Sequence, residues 1–497
     1  MKKIANIYLV AVVLLLASCS QEFIELAPVS SRSVEGFYKS EEQLQQALAG
    51  VYDGLQQSQT GAAVMLLKEE RSDNTFQQTL LYNYLTIVHF TESSDNIRLY
   101  PVWSTLYEAI YRCNIFLQKI QPVEFMEASE KAAMIGEAKT IRALLYFDLV
   151  RYFGGVPVVT TPLTISESLT IGRASIEEVY QLIVEDLDDA VASLPNQYDG
   201  SNTGRITVFA AKALLGKVYV TRSGYPLNLD EWGKARDLFE DVISSGQFEF
   251  FENYDDIFDI INDNGKQSVF YVQFNAGALG EGNPMPRIHA PGNIDRNNPE
   301  LGVISGGSSD SPFISDDLIM KFEEGDVRLS KTIQFEWLQN DGTMQTRPFC
   351  KKFGSGGIGP QNNWDINWPV IRYTEVLMLY AEALNELGYQ TDGMAFQILN
   401  DVRRRAGLEV KTAADIPDQQ SFRDWILDER RFEFAFENLR WFDLVRTDRG
   451  YDVMHEFLSP YHLEGNVTRE KYLFPIPSRV IQTNPLITQN KKKKKII

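Results

Sequence analysis

Apolar residues in this chain recur mainly at three- and four-residue spacing, the period of one helix face. Pro101 to Ile120 shows it best, with Trp103, Leu106, Tyr107, Ile110, Cys113, Asn114 and Leu117 on one stripe. Ser40 with Gln43, and Ser175 with Glu178, match the capping box, in which a hydroxyl and a side chain three positions on satisfy the free amides of a first turn. They predict helices from Ser40 to about Leu55 and from Ser175 to about Leu194. Ala128 to Phe153 is a long helical pattern, stopped by Gly154-Gly155 and Pro157. The same period predicts helices over Val208–Val220, Glu231–Ile243, Pro312–Phe322, Arg372–Leu387, Met394–Arg405 and Phe422–Val445. Strand-like alternation is scarce, and Ser268 to Phe274 carries it best.

Two helix pairs have the small-and-large pattern of tetratricopeptide units. Leu215-Gly216 with Tyr219 precedes Ala235 with Phe239, and Tyr380 precedes Ala395 with Leu399. The small residues let two helices approach and the large ones fill the groove between them. No regular period runs through the chain, so these pairs are embedded in a larger fold. Long Gly-, Pro- and Asn-rich segments separate the helices, above all Asn275–Asp310 and Gly354–Pro369. The expected fold class is mainly α, a helical scaffold that carries a loop-rich face with few short strands.

The amino terminus carries different information. Lys2 and Lys3 precede an apolar run, Ile7 to Ala17, which is too short to span a bilayer and the right size for a signal-peptide core. It ends in Leu16-Ala17-Ser18-Cys19, small residues before a cysteine, the lipobox pattern. Cleavage before Cys19 would leave its thiol to carry diacylglycerol and anchor the protein without a transmembrane helix.

Composition narrows the function. The net charge of −19 argues against a broad nucleic-acid footprint, which needs a basic surface. His89, His289, His455 and His462 form no local metal-ligand pair, and no cofactor or metal is expected. Cys113 and Cys350 read as buried free thiols. Gly354-Ser355-Gly356-Gly357-Ile358-Gly359 matches a dinucleotide fingerprint but lacks the strand before it and the helix after it. Glu429-Arg430-Arg431 with Glu433 reads as ion pairs along one helix. Lys491 to Lys495 forms a basic tail.

Several blocks, in order, carry a resemblance. They include Phe37-Tyr38-Lys39-Ser40-Glu41-Glu42, Ala47 through Leu55, Arg71-Ser72-Asp73-Asn74 and Arg112-Cys113-Asn114. Tyr146-Phe147-Asp148-Leu149-Val150 follows, then Phe153-Gly154-Gly155-Val156-Pro157, Arg372-Tyr373-Thr374-Glu375, Arg440-Trp441-Phe442-Asp443-Leu444 and Phe474-Pro475-Ile476-Pro477. With the lipobox, this series resembles the SusD/RagB family of outer-membrane nutrient-binding lipoproteins of Bacteroidetes-type bacteria. The resemblance implies a signal peptide over 1–18, a lipidated tether over 19–36, and one SusD-like body over 37–490. That body divides into halves 37–300 and 311–490, and a tail follows over 491–497.

It further implies a non-catalytic protein on the cell surface. Such a protein takes up an oligosaccharide or another nutrient and delivers it to a SusC-like TonB-dependent transporter. Sugar rings stack on flat aromatic faces, and their hydroxyls seek amide and carboxylate partners. On that chemistry Trp364 is a candidate platform, with core packing as its alternative. The resemblance points to Asp73 and Asn74 as ligand contacts, against a capped turn. Tyr100 is a further candidate, against core or transporter contact. A surface glycoside hydrolase and a tetratricopeptide-like interaction scaffold remain as alternatives.

Overall fold

A computed structural model describes residues 37–77, 82–277, 280–295, 297–298, 302–303, 311–354 and 363–490. The signal segment, Cys19, the tether, the tail and most of the Gly354–Gly359 motif lie outside the described residues.

The helices form where the apolar period places them. Helix α1 (Glu41–Thr60) starts at Ser40, whose hydroxyl accepts the Gln43 amide at 3.3 Å. Helix α2 (Leu99–Ile120) begins before Pro101, because a proline in the first turn has no amide that the helix would use. Helix α3 (Ala128–Phe153) ends at Gly154, whose φ of +74° suits glycine. From Ile141 onward nearly all its side chains are buried, so it forms the central rod. Helix α4 (Ile176–Ser193) packs along α3 and carries the full reciprocal capping box. The main core draws on residues from Leu44 to Ile487, and a second, smaller core gathers Met378, Phe396, Leu399, Phe422 and Ile426.

Helices α5 (Val208–Ser223) and α6 (Trp232–Ser244) pair as expected. A Cβ on Gly216 would lie 2.6 Å from the Phe239 ring, so the close approach requires glycine there. Helices α7 (Tyr373–Leu387) and α8 (Met394–Arg405) form the second pair, and α6 packs on α7. Strand β1 (Ser268–Val272) runs antiparallel to β2 (Trp368–Arg372), the segment that leads into α7. The remaining strands are two-residue pairs. The molecule is mainly helical, and among the described residues no helix is long and apolar enough to cross a membrane. Cys113 and Cys350 are free and buried, and burial pushes both thiols up to about 12.

Two expected helices change. Pro312–Phe322 shortens to Asp316–Lys321, because Thr75 bridges Ile314 and the Phe76 amide donates to the Phe313 carbonyl. Phe422–Val445 splits into α9 (Gln419–Glu433) and α10 (Arg440–Arg446). Between them Phe436 and Asn438 adopt φ of +66° and +64°. Their amides donate to the buried Glu69 carboxylate at 2.8 and 3.0 Å. A carboxylate fed by these amides outweighs helix continuity. Burial still lifts Glu69 to about 7.

The charged residues of α9 do not pair along their own helix. Glu429, Arg430, Arg431 and Glu433 are buried, and their partners come from distant segments. Arg405, Arg372 and Arg328 approach Glu433 at 2.6, 2.7 and 3.4 Å. Glu429 takes Arg328 and Arg403, while Arg430 takes Asp443. Burial alone would lift the Glu433 pKa, but Arg405, Arg372 and Arg328 outweigh it and hold the carboxyl at about 2. Asp443, buried against Arg430 and Arg446, is likewise held at about 2.

Because these folded pKa values are depressed, their stabilisation is complete above the ordinary carboxylate range and is lost as pH falls through about 2. The urea midpoint is expected to drop between about pH 5 and pH 2.5, and Glu433→Ala to shrink that drop. The same variant should lose roughly 3–5 kcal/mol at neutral pH, because it leaves the buried Arg405 without a carboxylate, whereas Arg328 keeps Asp326 and Arg372 keeps Glu437. Urea titrations monitored by circular dichroism check both outcomes.

Candidate ligand-binding groove

Three elements enclose a hollow of about 430 Å3, within the roughly 300–1,000 Å3 usual for small-ligand sites. Helix α1 supplies Gln45, Ala49, Tyr52, Asp53 and Gln56, whose spacing sets them on one face. The turn over 201–205 forms the opposite wall, and the chain leaving β1 (Gln273, Phe274, Asn275) closes one end with Glu281. Leu48, Leu55 and Val272 make an apolar floor.

A buried carboxylate fixes the wall. Glu137, on α3 and fully buried, accepts hydrogen bonds from Tyr52 Oη, from Tyr198 Oη at 2.9 Å and from Arg205 Nε at 2.9 Å. Tyr52 Oη in turn accepts the Ile206 amide at 2.8 Å. One acid thus ties α1, the turn and the central rod together. Burial first, and then Glu137, push the Tyr52 and Tyr198 phenols above their ordinary range, so both stay neutral. Burial works against the Arg205 charge, but Glu137 outweighs it and keeps the guanidinium protonated.

The floor end is held by amides. Gln56 Nε2 donates to the Gln273 carbonyl at 3.0 Å. The Gln273 and Asn264 side chains exchange hydrogen bonds at 2.7 and 2.9 Å, and Asn367 Nδ2 adds one to Gln273 Oε1 at 3.1 Å. Asn202 accepts from Arg205 at 3.1 Å, and Asp53 pairs with Arg112. Such a surface offers neutral amides, carboxylates and the half-buried Phe274 ring to a ligand. Among the described residues no group of three His, Cys, Asp or Glu is placed to hold a metal ion.

The residues singled out from the sequence lie elsewhere. Asp73 is 1% exposed, and its carboxylate accepts Arg440 Nε and Nη2, both at 2.9 Å, with Arg431 at 3.2 Å. Burial favours its protonation, but Arg431 and Arg440 hold it far below the carboxylate range. Asn74 is fully buried, accepts Arg431 Nε at 3.0 Å and donates to Glu69 at 2.8 Å. Both are internal pins, because Arg431, Arg440 and Glu69 occupy their polar atoms. Trp364 is fully buried and pairs through its backbone with Asn283, so no face is open to a sugar. Tyr100 is half-buried, and the Arg479 guanidinium sits 4.4 Å from its ring centre. Cys19 lies outside the described residues.

The sequence pattern does not mark the groove residues, because Tyr52 and Gln56 sit inside a block whose apolar neighbours dominate it. Their helical spacing was the available signal, and it does not say what faces them.

Gly204 has φ of +90°, and a Cβ there would lie 2.5 Å from the Gln273 amide carbon. Gly204→Ala should cost about 1–3 kcal/mol of stability, through strain and the displaced amide. Urea unfolding measures it, and an unchanged midpoint would contradict this packing.

Comparison with known proteins places these features in context. A profile described as the SusD family matches residues 270–492, and one described as starch-binding associating with outer membrane matches residues 22–220. SusD-like protein P25 of Formosa agariphila is 27% identical over 98% of each chain. A SusD superfamily protein from Parabacteroides distasonis superposes with a TM-score of 0.78 at 26% identity, over 90% of this chain and 99% of that one. A laminarin-binding SusD-like protein gives a TM-score of 0.75 at 26% identity, over 92% of this chain and all of the other.

Proposed function

This chain belongs to the SusD family, and from that premise we propose that it is a cell-surface lipoprotein that captures an oligosaccharide and passes it to a SusC-like TonB-dependent transporter. It acts by binding, without catalysis. The observation that carries the glycan reading is the hollow of about 430 Å3, where an apolar floor and an aromatic ring meet a rim of amides. A sugar presents the complementary pair, an apolar ring face and a belt of hydroxyls. The glycan bound by the laminarin-binding relative, at 26% identity, supports the same ligand class. Attachment follows from the lipobox: Cys19 carries the lipid, the acidic tether follows it, and the helical body stands outside the outer membrane. The profile described as associating with outer membrane supports this location.

Isothermal titration with laminari-oligosaccharides and other neutral glycans tests the binding. Phe274→Ala should weaken the best ligand about tenfold, the worth of one ring contact. Undiminished affinity in that variant would remove the groove from the reading. Release of shorter products during the titration would instead favour a hydrolase.

Cys19→Ser should abolish lipidation and shift the protein from the membrane fraction to the soluble fraction, as read by mass spectrometry and fractionation. Retention of this variant in the membrane fraction, with no lipid attached, would overturn the anchor.

A further inference from the structure

A second hollow of about 320 Å3 lies next to the first. Thr203, Gly204 and Arg205 line both, so the same turn is a wall of each. Its own lining repeats the character of the first, with Asn196, Gln197, Gln247 and Asn264 as amides and Tyr198 as a half-buried aromatic. The Glu137 carboxylate fixes both, since it holds Tyr52 in one, Tyr198 in the other and Arg205 between them. Asn264 of the second hollow is hydrogen-bonded to Gln273 of the first. At the dividing turn Gly204 carries no side chain.

The charges point one way. Glu281 lines the first hollow and Asp199 the second, while Asp53, also on the first, is neutralised by Arg112. Arg205 is neutralised by Glu137. Lys266 has no carboxylate partner among the described residues, and its ammonium donates to the Gln247 carbonyl at 3.1 Å. A bound carboxylated or sulfated chain would therefore meet more carboxylates than free cations, on a protein whose net charge is already −19.

We propose that the two hollows form one binding track for an uncharged, polyhydroxylated chain that crosses the Thr203–Arg205 turn. This rests on the groove being the glycan site, and it adds the length and charge class of the ligand. Each hollow alone lies near the lower end of the usual range for ligand sites, so a chain seated in both is longer than either holds.

The test titrates the mature protein with neutral glucan, xylan and mannan oligomers of increasing length, and with oligogalacturonides of matched length at low and high salt. Asn196→Trp supplies a plug for the second hollow, since Asn196 is exposed on its lining. Affinity should rise with length, and Asn196→Trp should remove roughly a fivefold gain for long oligomers while leaving short ones unchanged. Oligogalacturonides should bind at least about tenfold more weakly than the neutral chain. A length gain that survives Asn196→Trp would overturn the continuous track. Tight, salt-sensitive binding of oligogalacturonides would overturn the charge class. Failure of every oligomer, short or long and of either charge, would overturn the glycan reading of the groove and the track with it. Short neutral oligomers bound without any length gain would overturn the track alone.

Discussion

Charge buried without water must be matched by charge, and this fold is organised around that constraint. Helix α9 brings Glu429, Arg430, Arg431 and Glu433 into the interior, where each meets a partner from another segment. Asp73 and Asn74, from the amino-terminal half, reach Arg431 and Arg440 in the carboxy-terminal half. Glu69 collects the amides exposed by the break between α9 and α10. Removing a single partner strands a charge in low dielectric, whereas apolar contacts tolerate small adjustments.

The groove repeats the device on a smaller scale. Glu137 lies fully buried in the central rod and meets two phenols and one guanidinium. These tie α1 and, through Arg205, the 201–205 turn to α3. A preorganised wall lowers the entropy lost on binding, which would favour the capture proposed for it. Phenols kept neutral by burial and by Glu137 add no charge to the lining. The helix pairs α5/α6 and α7/α8 belong to the same scaffold, with Gly216 and Phe239 setting the approach within the first.

The buried pins and the helix pairs make the frame, and the groove rests on exposed side chains such as Gln45, Asn202 and Asn275. Changes at those positions would leave Glu433 and Glu137 untouched, since both acids are fully buried. The exposed rim is thus separate from the ionic interior that holds the fold.

The helices and their starts were legible along the chain: the stripe from Trp103 to Leu117, the Ser175–Glu178 cap and the stop at Gly154 all depend on neighbours within a few residues. The small-and-large pairing of Gly216 with Phe239 was legible for the same reason, since helical spacing exposes it. The resemblance pointed to Asp73 and Asn74, and its chemistry suggested Trp364, but only the tertiary structure shows charged partners around the first two and core around the third. The interruption of Phe422–Val445 was equally hidden, because its cause is the Glu69 carboxylate far away along the chain. Local sequence determines period, caps and turns, since those arise from adjacent backbone groups. Which buried acid meets which base, and which exposed faces close on a hollow, depends on contacts between distant residues, and only the assembled tertiary structure decides them.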